Sequence, residues 1–253
     1  MATVFKKPVT INAPDKDVII NGMDFTEEAL LTFTAAKSIT VKNCRFYNLK
    51  PNAAKTMMII GSANPVKVVI ENCFFGNNPA IDKNLMYHVV EGNFTLATGS
   101  SFSNNYFKSG ACTHNAISIY NVEDNAVIAC NNNYFEYSGC GFRVGIKGAA
   151  KCTINMRGNT YETTDPSSGY EYAGLLTIQP YSTATTSFND VVIKMADIRN
   201  LTDRKQVVML YANKTDTPFD KSTNYPKVYI DDVLQTDIPA VGGTVVNDSS
   251  ASE

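Results

Sequence analysis

The chain has 253 residues, 44% hydrophobic and only 18% charged, with a formal net charge of -2 at pH 7. Charge this sparse and unclustered excludes a nucleic-acid surface, because neutralising phosphates needs grouped Lys and Arg. No window approaches the ~20 apolar residues of a membrane-spanning helix. The opening stretch MATVFKKPVTINAPDKDV has no apolar run of signal-peptide length, so the chain is expected to stay where it is made, in the cytoplasm.

In chain order, Val9–Ile11 and Val18–Ile20 read as two short strands separated by the turn-rich NAPDKD. Leu31–Phe33 and Ile39–Val41 follow, then Met57–Ile60 and Val66–Ile70 around GSANP. The couplet recurs as Leu85–Val90 with Asn93–Leu96, Ala116–Tyr120 with Ala126–Cys130, and Phe142–Ile146 with Cys152–Met156. It closes with Leu175–Ile178 and Val191–Met195, then Val207–Leu210 and Val228–Ile230. Abundant Val, Ile, Thr, Tyr and Phe favour strands, and the one helical hint, Glu27–Leu30, is too short to stand alone. Alternation points Ile117 and Ile119 inward with Ser118 and Tyr120 outward, and it points Phe142, Val144 and Ile146 inward.

A second regularity overlies the couplets. The phrase AVIACNNNYF, ending at Phe135, has counterparts ending at Phe25, Phe46, Phe75, Phe107 and Tyr161, with weaker echoes ending at Ile198 and Leu234. Successive gaps are 21, 29, 32, 28, 26, 37 and 36 residues. Such recurrence marks a solenoid, in which each unit buries its face only against its neighbours. The marker aromatics then stack as an interior ladder. Asn43, Asn72, Asn104 and Asn132 lie three residues before their markers, where Asn tolerates a left-handed corner and can form an amide ladder. Cys44 and Cys73, two before their markers, read as stacked small core residues. None of the six cysteines forms a CxxC pair or a metal-ligand spacing.

This pattern of strand, Asn corner and stacked aromatics resembles the right-handed parallel β-helix of the pectin-lyase-like superfamily over about residues 8 to 235. The resemblance implies an all-β fold, a single elongated solenoid of about eight rungs and on the order of 40 Å long at ~4.8 Å per rung. Residues 1–8 are expected to form an N-terminal arm, 9–235 the helix, and 236–253 a polar tail.

An enzyme of this resemblance would cut polysaccharides. The family's lyases imply clustered acids for calcium with an Arg or Lys base, and its hydrolases imply two or three Asp with a His and an Arg-x-Lys run. Neither pattern is intact, since Val144-Gly145 stands where the Arg of the run belongs and Tyr161 where an Asp does. The surviving catalytic set is Arg143 with Glu123, Asp124 and Glu136. Hydrolysis needs two carboxyls about 5 to 9.5 Å apart, and stacked positions on adjacent rungs offer ~5 Å. Turns and corners are also where charged side chains are simply solvated. Asp231-Asp232 with Asp237 is the densest acidic group, more suited to a water-facing loop than to calcium, which wants six to eight oxygens. His88 and His114 lack a Ser or Cys partner at motif spacing. Tyr87, Tyr120, Tyr134, Tyr137, Tyr170 and Tyr172 form a stacking set for sugars or, alternatively, flank corners with their hydroxyls wet. The triplets at Asn93 and Asn200 match glycosylation acceptors but mean little without a signal peptide.

A short β-helix without signal peptide or intact acidic cleft also resembles the β-helix proteins of bacteriophage virions. The expectation is a non-enzymatic structural protein located in the virion: a capsid decoration, head fibre or spike. It would be a rigid rod docked to a capsid or tail protein, without cofactor or metal, and compatible with a homotrimer. The alternatives are a polysaccharide depolymerase using the Arg143 set and an adhesin that binds a surface glycan. Three convergent acids on the outer face would favour the enzyme, a Tyr stripe the adhesin, and scattered Ser, Thr and Asn the structural protein.

Overall fold

The computed structural model describes residues 2–48, 54, 56–62, 64–77, 86–108, 112–136, 140–146, 151–162, 175–180, 188–201, 207–211, 219–238 and 240–241. All regular structure in this set is β, arranged as two sheets.

The smaller sheet takes β1 (Thr3–Phe5), β3 (Met23–Glu27), β5 (Arg45–Asn48), β8 (Phe74–Asn77), β11 (Tyr106–Lys108), β14 (Tyr134–Glu136), β17 (Thr160–Glu162) and β20 (Arg199–Asn200). The larger sheet has two arms. One takes β2 (Val9–Asn21), β4 (Leu31–Lys42), β7 (Lys67–Glu71), β10 (Ser101–Ser103), β13 (Ala126–Asn131), β16 (Cys152–Arg157), β19 (Val191–Ala196), β22 (Lys227–Ile230) and β23 (Val233–Leu234). The other takes β6 (Thr56–Gly61), β9 (Met86–Leu96), β12 (Cys112–Val122), β15 (Cys140–Ile146), β18 (Leu176–Pro180), β21 (Val208–Tyr211) and β24 (Ala240–Val241). The arms meet at β4, which is long enough to pair with both β6 and β7. From β4 to β22 the chain visits the first arm, the small sheet and the second arm in rotation. Every named strand pair is parallel except β22 with β23.

The sequence's two regularities have one physical cause. Phe5, Phe25, Phe46, Phe75, Phe107, Phe135 and Tyr161 hold one register position across the small sheet. From Phe5 to Phe135 the rings stack with centroids 4.5 to 5.2 Å apart and planes within 17° of parallel. That spacing is the strand separation itself, so each ring reports the layer below it. Aliphatic columns run beside it: Leu31, Met58, Val90 and Ile117 on one arm, and Ile39, Val68, Ile128, Ile154, Ile193 and Val228 on the other, all buried, with the buried Ser100 standing in the layer between Val68 and Ile128.

The residue three before each aromatic turns the corner. Gly22, Asn43, Asn72, Asn104, Asn132 and Gly158 all have φ between 53° and 67°, the left-handed region that Gly and Asn enter at least cost. Asn43 Nδ2 donates to Asn21 Oδ1 at 2.9 Å and Asn72 Nδ2 to Asn43 Oδ1 at 3.5 Å, forming part of the expected exterior amide ladder. A stronger ladder lies one residue further on, inside. Asn105, Asn133 and Asn159 are buried and continue the position that Cys44 and Cys73 occupy in earlier layers.

Several expectations need correcting. Val9–Ile11 and Val18–Ile20 belong to one strand, β2, with a register irregularity between Ala13 and Asp17 that absorbs the Pro14 segment. The echo read as ending at Ile198 aligns instead through Asn200, which pairs with Tyr161, so Ile198 sits in the amide column. The last echo does not stack: β23 folds back antiparallel on β22 through Asp231 and Asp232, both with positive φ, as in a two-residue type I′ hairpin. Ser118, expected outward, is fully buried together with Met57, Ala116 and Thr177, so both faces of the second arm are covered. Within the stretch expected as an arm, Thr3–Phe5 pairs with β3 and sets Phe5 on Phe25. Within the expected tail, Ala240–Val241 pairs with β21.

Candidate functional site

The four residues of the catalytic alternative fall at three places. Glu123 and Asp124 lie in the turn between β12 and β13, where they hold backbone. Glu123 Oε2 accepts the Thr98 N–H at 3.0 Å, and Asp124 Oδ1 accepts the Lys151 N–H at 2.8 Å. Glu136 is on β14 in the other sheet and accepts the Tyr106 hydroxyl at 2.6 Å. Arg143 is on β15, with Ser118 and Thr177 as its register neighbours; its side chain lies outside the described set, as do those of His88, His114, Tyr87, Tyr120, Tyr137, Tyr170 and Tyr172. The carboxylate that the register brings onto the Arg143 column is Glu91, paired with Ser118. Thr56 Oγ1 donates to Glu91 Oε2 at 3.4 Å, while the buried Ser118 Oγ has no hydrogen-bond partner among the described residues. Sequence spacing could not connect Glu91 to Arg143, because register across loops of unequal length is set by packing.

The acidic group at the C-terminal end is structural. Asp231 and Asp232 form the hairpin turn, and Asp231 Oδ1 accepts the Asp197 N–H at 3.2 Å. Asp237 pairs with Lys221. Beside them opens a cavity of about 520 Å³, lined in part by Asn189, Lys221, Tyr225, Lys227 and Gln235. Its polar groups are largely committed to each other: Asn189 Nδ2 donates to Thr223 O at 2.6 Å and its Oδ1 accepts the Tyr225 N–H at 3.0 Å. The Tyr225 hydroxyl accepts the Ile238 N–H at 3.0 Å, and burial raises its pKa.

The outer face of the small sheet differs in character. Phe74, Tyr106 and Tyr134 stand on neighbouring strands in edge-to-face contact, beside Glu136 and Glu162. The Tyr134 hydroxyl donates to Glu162, and that bond pushes its pKa up to about 12. Tyr106 is raised for the same reason by its bond to Glu136. Of this stripe, sequence reading singled out only Tyr134 and Glu136. The signal for the rest was available: Phe74, Tyr106 and Tyr134 each immediately precede a marker aromatic.

Comparison with protein-family models, with curated proteins and with solved structures finds no match.

Proposed function

We propose that the chain is a right-handed parallel β-helix of about eight rungs that serves as a non-enzymatic structural protein of a bacteriophage particle: a rigid rod docked to a capsid or tail protein. The observation that carries this reading is the chain's rotation through three strand lines around an unbroken column from Phe5 to Tyr161, buried from Phe25 onward. A closed coil is the simplest path that keeps such a rotation in register. Its described interior is spent on stacking: the aromatic column, the aliphatic columns and the buried amides follow one another layer on layer, which is the construction of a stiff rod rather than a hinged one.

The two ends support docking by the first layer. Among the described strands, β2 pairs with β4 alone, which leaves the backbone groups along its other edge for a partner strand. Phe5, Val9, Ile11, Val18, Ile20 and Met23 are only partly buried there, and Ile19 is 63% exposed. At the far end the β22–β23 hairpin turns back and interrupts parallel addition on that arm.

The experiment is co-sedimentation of the purified chain with phage particles of its source, repeated with Ile19→Lys. Wild type is expected to sediment with particles, and the variant to stay soluble while melting at the wild-type temperature. A chain that ignores particles but releases reducing ends or unsaturated sugars from capsule would overturn the proposal.

A further inference from the structure

Cys44 and Cys73 stand two residues before the stacked rings Phe46 and Phe75 on successive layers, and both are buried. The backbone ladder runs through the corner on either side of them. Asn43 N–H donates to Glu71 O at 3.0 Å, and Phe74 N–H donates to Cys44 O at 3.0 Å. The pair is therefore held one strand separation apart, about 4.8 Å, inside the window of about 4.4 to 6.8 Å between Cα atoms that a disulfide spans. The sulfurs meet consecutive residues of β4: Cys73 Sγ lies 3.6 Å from Val41 O, and Cys44 Sγ lies 3.2 Å from Lys42 O. Joining them needs Cys44 Sγ to rotate off Ile20 O, a contact of 3.8 Å that is weak to begin with. Among the four cysteines whose side chains are described, no other two share a column, since Cys130 pairs with Phe102 and Cys152 with Ala126 and Val191.

We propose that Cys44 and Cys73 close an interlayer disulfide when the chain meets a peroxide, making a redox-controlled staple near the open end of the stack. Cys44 reacts first. The hydrogen bond between the two thiols holds Cys44 below the ordinary thiol range and pushes Cys73 up, and the thiolate is the nucleophile. Cys44 sulfur attacks one peroxide oxygen, the O–O bond breaks, and the departing hydroxide takes a proton to become water, leaving a sulfenic acid. Cys73 sulfur then loses its proton, attacks Cys44 Sγ and expels the sulfenic oxygen as a second water. Two thiols lose two electrons, and one peroxide gains them. Access comes from the end: only β2 and its corner at Met23 lie beyond Cys44 among the described residues, and Ile20 and Met23 there are partly buried. Fraying of that layer admits a small oxidant. The staple also falls where it is needed, in the layers without the buried amides of Asn105, Asn133 and Asn159. A thiol-buffered compartment keeps it open and an oxidising one closes it, whatever the rod is attached to.

The chain has six cysteines. Freed of reductant and treated with hydrogen peroxide, wild type should fall from six to four thiols counted after denaturation, and a tryptic digest should join the Cys44 and Cys73 peptides. The closed loop restricts the unfolded chain, so the melting temperature should rise by about 5 to 10 °C, and dithiothreitol should reverse the rise. Cys44→Ser and Cys73→Ser should each show neither the link nor the rise, while Cys152→Ser should show both. The digest is made on wild type, so the result does not depend on any variant folding. Six thiols after treatment, a link from Cys44 to any other cysteine, or a sulfinic acid at Cys44 with Cys73 still free would each overturn the proposal.

Discussion

Five successive layers place a buried side chain at the same corner, two residues before the stacked ring, and they do so with two chemistries. Cys44 and Cys73 serve the earlier layers; Asn105, Asn133 and Asn159 serve the later ones. All five reach for the same acceptor, a carbonyl of the preceding layer. The amides meet Ile70 O, Phe102 O and Cys130 O at 2.9, 2.9 and 2.6 Å. The thiols lie 3.8 and 3.6 Å from Ile20 O and Val41 O, and closer to carbonyls of their own strands. An amide also has an oxygen to give. Asn105 Oδ1 accepts the Cys73 N–H at 3.0 Å, Asn133 Oδ1 accepts the Asn105 N–H at 3.1 Å, and Asn159 Oδ1 accepts the Asn133 N–H at 2.9 Å. A thiol has no comparable acceptor for the corner below it. The amide layers are therefore cross-linked in both directions, while the thiol layers rely on volume and burial.

The sharpest way to break this comparison is Asn133→Ala. It strands the Asn105 N–H in the interior and takes one bond each from the Asn105 amide nitrogen, which keeps Ile70 O, and from Phe102 O. At about 1 to 3 kcal/mol for the buried N–H left unpaired and about 1 kcal/mol for each further bond lost, the loss should be about 3 kcal/mol by denaturant midpoint. Cys44→Ala, which removes a weak donor, should cost about 1 kcal/mol. Equal losses would show that the corner needs bulk and not hydrogen bonds. Cys73→Asn tests the converse. The introduced amide is placed to donate to Val41 O and to accept from the Cys44 N–H, extending the ladder by one layer, so a gain of about 1 kcal/mol is expected. A loss instead would mean that the earlier layers are sized for sulfur and overpacked by an amide.

Much of the architecture was legible because it is written locally. Marker rings, corner Asn and Gly residues and strand alternation each occupy a fixed offset; Phe25, Phe46, Phe75, Phe107 and Phe135 stack as their spacing predicts, and Tyr161 follows in register. What failed was register across unequal loops. Ile198 and Asn200 are both compatible with the echo around VVIKMADI, and only pairing with Tyr161 decides between them. The interior ladder was half seen: Cys44 and Cys73 were placed together, but nothing local shows that Asn105 performs the same task, since one Asn of each NN pair turns the corner and the next enters the core. The candidate sites were less legible for the same reason. Glu91 reaches the Arg143 column, and Glu162 reaches Tyr134, only through pairing of strands separated by long loops.

The smallest expected effect separates the inner ladder from the Tyr–Glu stripe on the small sheet's outer face. Amides do not titrate, so the Asn105–Asn133–Asn159 ladder should hold at any pH at which the chain stays folded. The Tyr–Glu stripe does titrate. Hydrogen bonding to Glu162 raises Tyr134 from about 10 to about 12 in the folded chain, which favours the neutral phenol in the native state. Its contribution to stability is therefore complete below pH 10 and is lost as pH climbs through 12. Buried thiols add to alkaline loss in an overlapping window, since burial pushes Cys152 up to about 12 as well. Tyr134→Phe isolates the tyrosine share: the gap between wild-type and variant melting temperatures should narrow between pH 10 and 12, while phenolate absorbance should show one fewer late-titrating group. Because the stripe is partly exposed, the narrowing should be modest and weaker in salt. A gap that stays constant across that window would mean that the Tyr134–Glu162 bond does not persist in solution.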